Sequence, residues 1–152
     1  MREAEKEVKI KDTKEFSARL MAVQAYYQNS QNLKPMAQVI EEYLLHPPLM
    51  DVDGEEISKP HGGLFKRILT SLNQRLAEVE EILKAHLPEN KVVEPLLKAI
   101  IICGIVEILE HTDIDAPIII DDYLNVTHAF YEQQQVSLVN GILDKASSAI
   151  RG

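Results

Sequence analysis

Residues 137–145 read SLVNGILDK (Ser137 to Lys145), and the Asn140-Gly141 pair inside them is of the kind that usually closes a two-residue β-hairpin. The flanking pattern decides against that. Val136, Val139, Leu143, Ala146 and Ile150 recur at steps of three and four, the period of one face of an α-helix rather than of two paired strands. Asn140-Gly141 is therefore expected inside a helix. A glycine there costs about 0.5–1 kcal/mol relative to alanine. A second backbone packed closely against the missing side chain is the simplest compensation, and the sequence reading expects one.

Working outward, the chain reads as helical throughout. Asp12 or Thr13 caps a first helix in which Phe16, Leu20, Val23 and Tyr27 share one face. A break at NSQNLKP follows, and Pro35 opens a short second helix that ends before the His-Pro-Pro at 46–48. The turn-rich, acidic stretch LMDVDGEEISKPHGG reads as a surface loop with little regular structure. From Leu64 to Leu87, Phe65, Ile68, Leu72, Leu76, Val79 and Leu83 form a long apolar stripe that Pro88 terminates. The next helix, about Glu94 to His111, has Pro95 in its first turn and is apolar nearly all round, which places it at the centre of a bundle. Pro117 opens a fifth helix to about Tyr131, and EQQQ leads into the sixth.

Composition bounds the function. A chain of 152 residues with 45% apolar content can build one domain with a real core. The first dozen residues, 1–12, have mixed charge and no apolar period and read as a loose arm before a single helical domain over 13–152. The formal charge of −8 argues against an autonomous nucleic-acid binder, which normally carries a basic stripe, so an RNA role requires a local basic patch or a basic partner. The apolar run Leu96 to Leu109 is too short to span a bilayer and is broken by Lys98 and Glu107. The amino terminus lacks the apolar run of a signal peptide, so a cytoplasmic protein is expected. The single Cys103 cannot form an internal disulfide and, lying among apolar neighbours, reads as a core residue rather than a nucleophile.

No phosphate-binding glycine loop, paired Cys-x-x-Cys, His-Glu-x-x-His or Gly-x-Ser-x-Gly occurs, so no catalytic role and no cofactor is expected. Glu110, His111, Asp113 and Asp115 are the densest set of metal-ligand types, but they fall in a short connection where polar residues belong anyway. Lys9, Lys11, Lys14 and Arg19 concentrate positive charge near the amino terminus of an acidic chain, an asymmetry suited to phosphate, although acidic residues interleave with them. Tyr26 and Tyr27 point about 100° apart on one helix, so one is expected to be exposed for a protein interface or for stacking.

The carboxyl-terminal stretch from Asp115 to Arg151 resembles the end of the bacterial transcription antitermination factor NusB. It has a Pro-led helix with an acidic pair, then Val-Asn-Gly-Ile-Leu-Asp-Lys. ARLMAVQAYYQ (Ala18 to Gln28) is similar to that family's first helix, and LLKAIIICGIVEIL to its central buried helix. The resemblance implies an all-α, NusB-like fold of two three-helix bundles packed together. It implies a non-catalytic adaptor that binds boxA RNA in nascent transcripts together with NusE, the ribosomal small-subunit protein, within the RNA polymerase antitermination complex. By position it points to Lys11, Lys14, Arg19, Gln134 and Leu138 as RNA contacts and to Tyr27, Leu97 and Lys98 as partner contacts. A homodimer is left open.

The chain departs from the family pattern in ways that matter. The arginine run leading into helix one is thinned to Lys14 and Arg19, an aromatic before Val-Asn-Gly is Leu138, an acidic residue before Lys-Ala is Leu97, and an arginine further on is Ile102. Base stacking contributes about 1–3 kcal/mol per base, so the loss at Leu138 is expected to weaken RNA binding. Two other readings compete with the adaptor: a NusB-like module of a ribosomal RNA methyltransferase, and a helical dimerisation protein without RNA binding. A methyltransferase would continue into a catalytic domain. Because residues run out at Gly152 soon after the last helix, the free-standing adaptor is the expected form.

Overall fold

Thr13 sits in extended backbone and its hydroxyl accepts from the Phe16 amide at 3.0 Å, so it caps the first helix. That helix opens a computed structural model that describes residues 12–152. Of the expected charged arm, residues 1–11 lie outside the described residues. Asp12 is tied down, because its carboxylate accepts from the Ser58 amide at 2.6 Å and hydroxyl at 2.7 Å.

Among the described residues there are six helices, in order α1 (Lys14–Asn32), α2 (Met36–Leu45), α3 (Gly62–His86), α4 (Pro95–Glu110), α5 (Ala116–Phe130) and α6 (Gln133–Arg151). Each starts and stops for a local reason. Leu33, at φ 59°, ends α1 with a left-handed residue, while Pro35 supplies the fixed φ from which α2 starts. His61 caps α3 through Nδ1, which accepts from the Leu64 amide at 3.0 Å, and α3 bends at Arg75, whose φ and ψ are −120° and 17°. Pro95 and Pro117 occupy first-turn positions of α4 and α5.

The stretch after α2, expected as a surface loop with little regular structure, holds one short hairpin. Asp51–Val52 (β1) and Glu55–Glu56 (β2) pair antiparallel around Asp53-Gly54. Both turn residues have positive φ, 53° and 83°, as a type I′ hairpin requires. The chain's hairpin signal is thus Asp-Gly at 53–54, while Asn140-Gly141 is helical.

Helices α1, α2 and α3 contact one another, as do α4, α5 and α6, which gives two three-helix bundles. They are joined through α1 and α3, both of which pack on α4. Helix α4 is buried on nearly every side from Leu97 to Ile108. So is the first half of α1, where Phe16 through Val23 are all buried; the single stripe expected for α1 is therefore too narrow. The α3 stripe is buried except for half-buried Leu76, and the α6 stripe except for half-buried Ile150.

The glycine expectation is also corrected. Gly141 is exposed, and a Cβ placed there would meet nothing within 4 Å, because it lies on the face of α6 opposite the stripe. Close packing occurs instead at Gly104 of α4, where a Cβ would lie 2.9 Å from Leu143 Cδ2 and 3.0 Å from Leu143 Cδ1. Without a side chain on Gly104, α6 can lay Leu143 directly on the α4 backbone.

Candidate RNA and partner interface

Most of the charge in the interior converges on one residue. Glu107 of α4 is fully buried and accepts from Arg19 Nε at 2.7 Å and Nη2 at 2.9 Å, and from the Tyr123 hydroxyl at 2.6 Å. Its other oxygen lies 2.9 Å from Nδ1 of buried His111. Arg19 Nη1 also donates to Asp122 of α5 at 2.9 Å. Burial alone would raise the Glu107 pKa, but hydrogen bonds from His111 and Arg19 and the charge of Arg19 outweigh it and hold the carboxyl below its ordinary value. Burial, followed by the Glu107 charge, pushes the Tyr123 hydroxyl up. At the end of α6, Arg151 donates to the carbonyls of Ile108 at 2.9 Å, His111 at 2.9 Å and Ile114 at 2.7 Å, which satisfies the carboxyl end of α4.

This arrangement removes Arg19 from the expected RNA contacts. The residue is 2% exposed and its guanidinium is used up in a fork to one carboxylate and a bond to another. Sequence charge placed it on the surface; two buried acids from other helices bring it inside. Of the remaining amino-terminal cations, Lys14 is exposed in the first turn of α1, and Lys11 lies outside the described residues.

Of the metal-ligand types in that connection, Glu110 pairs with Arg75, His111 with Glu107 and Asp113 with Arg67. Among the described residues no group of three His, Cys, Asp or Glu is placed to hold a metal ion. Cys103 is buried in α4, and burial pushes its thiol up, so it is a poor nucleophile.

Three of the remaining expected contacts, Leu97, Gln134 and Leu138, gather at the opposite end of the second bundle. The segment leading into α4 and the first turns of α4 and α6 enclose a groove of about 500 Å³. Gln134, exposed, and Leu138, half-buried, line it from α6, one helical turn apart. Leu97 lines it from α4, but at 4% exposure it is a core side chain that forms the floor; its expected role as a surface contact is corrected for that reason. Tyr131 closes one wall and donates its hydroxyl to Glu94; burial and then that carboxylate push the phenol up. Lys91 and Val92, the latter 90% exposed, form the lip. Gln135 also lines the groove, and its side-chain oxygen is buried without a hydrogen-bond partner.

Lys98 faces away from this groove and borders a neighbouring depression with Glu80, Glu81 and Lys84; Val93 is shared by the two. Its ammonium lies 3.9 Å from the Glu80 carboxylate. Tyr27 is half-buried against the core and borders neither depression, while Tyr26 is 8% exposed, so the outward member of the pair is Tyr27. The structure thus joins Leu97, Gln134 and Leu138, leaves Lys98 and Tyr27 on adjoining surfaces, and places Lys14 elsewhere. Sequence reasoning passed over Tyr131, Lys91 and Glu94 as groove residues. The one signal available for Tyr131 was an aromatic standing at a helix end directly before a polar run.

Comparison with known proteins agrees with this architecture. Residues 17–148 match the model of the NusB family. The chain is 30% identical over 139 residues to the transcription antitermination protein NusB of Agrobacterium fabrum, covering 90% of this chain and 84% of that protein. It is 28% identical over 138 residues to that of Allorhizobium ampelinum, covering 89% and 86%. Its fold is similar to that of T. maritima NusB, with a TM-score of 0.71 at 18% identity over 91% of this chain and 93% of that one.

Proposed function

This chain belongs to the NusB family of transcription antitermination proteins, which are not enzymes, and on that premise we propose that it is the RNA and protein adaptor that binds boxA RNA jointly with NusE. One observation carries the reading: Gln134 and Leu138, which the resemblance singles out for RNA, stand one turn apart on α6 along one open groove whose floor is Leu97. Nucleotides laid along the exposed first turns of α6 would meet Gln134 and Leu138, with Lys91 at the lip for phosphate. The adjoining surface with Lys98 and Tyr27 is left for the protein partner. No helix among the described residues is long and apolar enough to cross a membrane, and the proposed place of action is the cytoplasm, at the transcribing polymerase.

The charge of −8 makes the partner integral to RNA binding. Arg19 is committed to the interior, so in this reading basic contacts come largely from NusE. Titration of a labelled boxA oligonucleotide at fixed salt tests this. The free protein should bind far more weakly than its mixture with NusE, and equal affinity would overturn the proposal. Lys14→Ala supplies a finer measurement: if Lys14 meets one phosphate, the log-log salt slope flattens by about one unit on boxA and on control RNA alike.

A further inference from the structure

A further depression, remote in sequence from the α4–α6 groove, lies between the end of α2, the hairpin and the start of α3. It is an apolar groove of about 360 Å³, with Met21 as floor and Tyr43, Leu44, Leu49, Ile57 and Pro60 among its walls. We propose that it docks a partner-protein segment that carries apolar anchors flanked by lysine or arginine.

The groove is preformed. Tyr43 packs on Phe65 with ring centroids 5.7 Å apart and donates its hydroxyl to Gln28 at 2.6 Å. The Ile57 amide donates to the Met50 carbonyl at 2.9 Å, which closes the hairpin stem against it. Pro47 and Pro48 fix the φ of the connecting wall. A partner entering such a site orders little of this chain, which lowers the entropic cost of binding.

Three of the large apolar side chains left in water fall in this region. Leu44, Leu45 and Leu49 are 39%, 66% and 76% exposed within six residues of chain. Their surroundings set the occupant's charge. Between Lys34 and Lys59 the sequence has no lysine or arginine but has Glu41, Glu42, Asp51, Asp53, Glu55 and Glu56, all exposed. Lys34 and Gln38 engage Glu42, and Lys59 stands at the groove itself; the other five carboxylates make no ion pair among the described residues. Glu56 lines the groove beside Lys59 and the other acids flank its walls in sequence, an acidic neighbourhood that disfavours nucleic-acid phosphate and anionic lipid. It equally disfavours a second copy docked about a twofold axis, because the same acidic patch would face itself. An apolar segment with flanking cations is complementary in both respects.

Fluorescence anisotropy with the full chain tests the assignment, with a labelled synthetic peptide of roughly 18 residues that has leucines at helical spacing and lysines elsewhere. A leucine–glutamate peptide of the same pattern is the control. The double variant Leu49→Lys with Glu56→Lys reverses the groove mouth at two exposed positions, so the fold should be retained. Its affinity for the lysine peptide should fall by about tenfold or more. Asp144→Lys, which removes an exposed acid bordering a different groove on α6, should bind as the parent does. Equal losses in both variants would mean unspecific charge attraction, and undiminished binding by the double variant would mean docking elsewhere; either overturns the proposal. So would sedimentation showing a dimer that only the double variant dissociates, since the groove would then hold a second copy.

Discussion

The interior around Glu107 and the groove around Leu138 both hold polar groups next to apolar ones, yet they are finished to different degrees. Around Glu107 each charge has a named partner on another helix, and α1, α4 and α5 are bound into one arrangement. Around Leu138 an exposed glutamine and a lip valine stand open, and the buried Gln135 amide oxygen has no partner. Buried polar groups must find partners within the chain, because an unpaired one costs about 1–3 kcal/mol. A binding surface leaves that pairing to its ligand. The contrast separates the cations as well: Arg19 is part of the fold, and Lys14 is exposed and makes no ion pair among the described residues.

The contrast breaks most readily at Arg19. Arg19→Ala would leave Glu107 and Asp122 buried without their cation, and removing one partner of a buried pair costs about 3–5 kcal/mol. Urea unfolding should show a loss of that size, and a loss below about 1 kcal/mol would return Arg19 to the surface. The same site sets a pH dependence. The Glu107 carboxyl is held below its ordinary value of 4.5 in the folded protein. A depressed carboxyl contributes stability that is complete above the unfolded value and is lost as pH falls through the folded one. The urea midpoint should therefore decline once pH drops below about 4.5, and a midpoint that rises there would contradict the assigned hydrogen bonds.

The next effect concerns how tightly the second bundle closes behind the groove. Gly104→Ala sets a methyl 2.9 Å from Leu143 Cδ2 and 3.5 Å from Tyr123 Cδ2, in a region with no room to yield toward solvent. Overpacking of this kind costs about 1–3 kcal/mol, against a helix-propensity gain of about 1 kcal/mol or less. A net loss is expected in thermal melting, and Gly104→Ala combined with Leu143→Val should recover part of it. At the groove itself, Leu138→Phe presents a ring beside Gln134; it should tighten boxA binding by about 1–3 kcal/mol in the presence of NusE if bases stack there. No gain would remove Leu138 from the RNA path.

Much of the fold was legible in the sequence because apolar period and proline position are local signals. Pro95 and Pro117 marked helix starts to within a residue or so, and the α3 and α6 stripes match their buried faces. What failed depends on pairing across the chain. Arg19 is separated from Glu107 by 88 residues, and nothing near either announces the partner. The hairpin at Asp53-Gly54 has two-residue strands, too short to show alternation. For the candidate interface, resemblance supplied Gln134 and Leu138, but Tyr131 and Lys91 enter only because α4 and α6 begin side by side.

The smallest expected effect is at the pair that decides the fold. On a helix with no neighbour within 4 Å, Gly141→Ala meets no packing cost, and only the propensity gain of about 0.5–1 kcal/mol remains. The variant should melt slightly higher than the parent, the opposite sign to Gly104→Ala in the facing helix. Asn140 is exposed as well, so Asn140→Ala should also be neutral or mildly stabilising, since alanine is the better helix former. A type I′ turn would reverse both outcomes, because alanine is strained at positive φ in each position. The two melts together therefore test the helix without any functional assay. A loss at Gly141 alone would mean that another surface covers this face of α6 in solution, and measuring the loss against protein concentration would show whether that surface is a second copy of the chain.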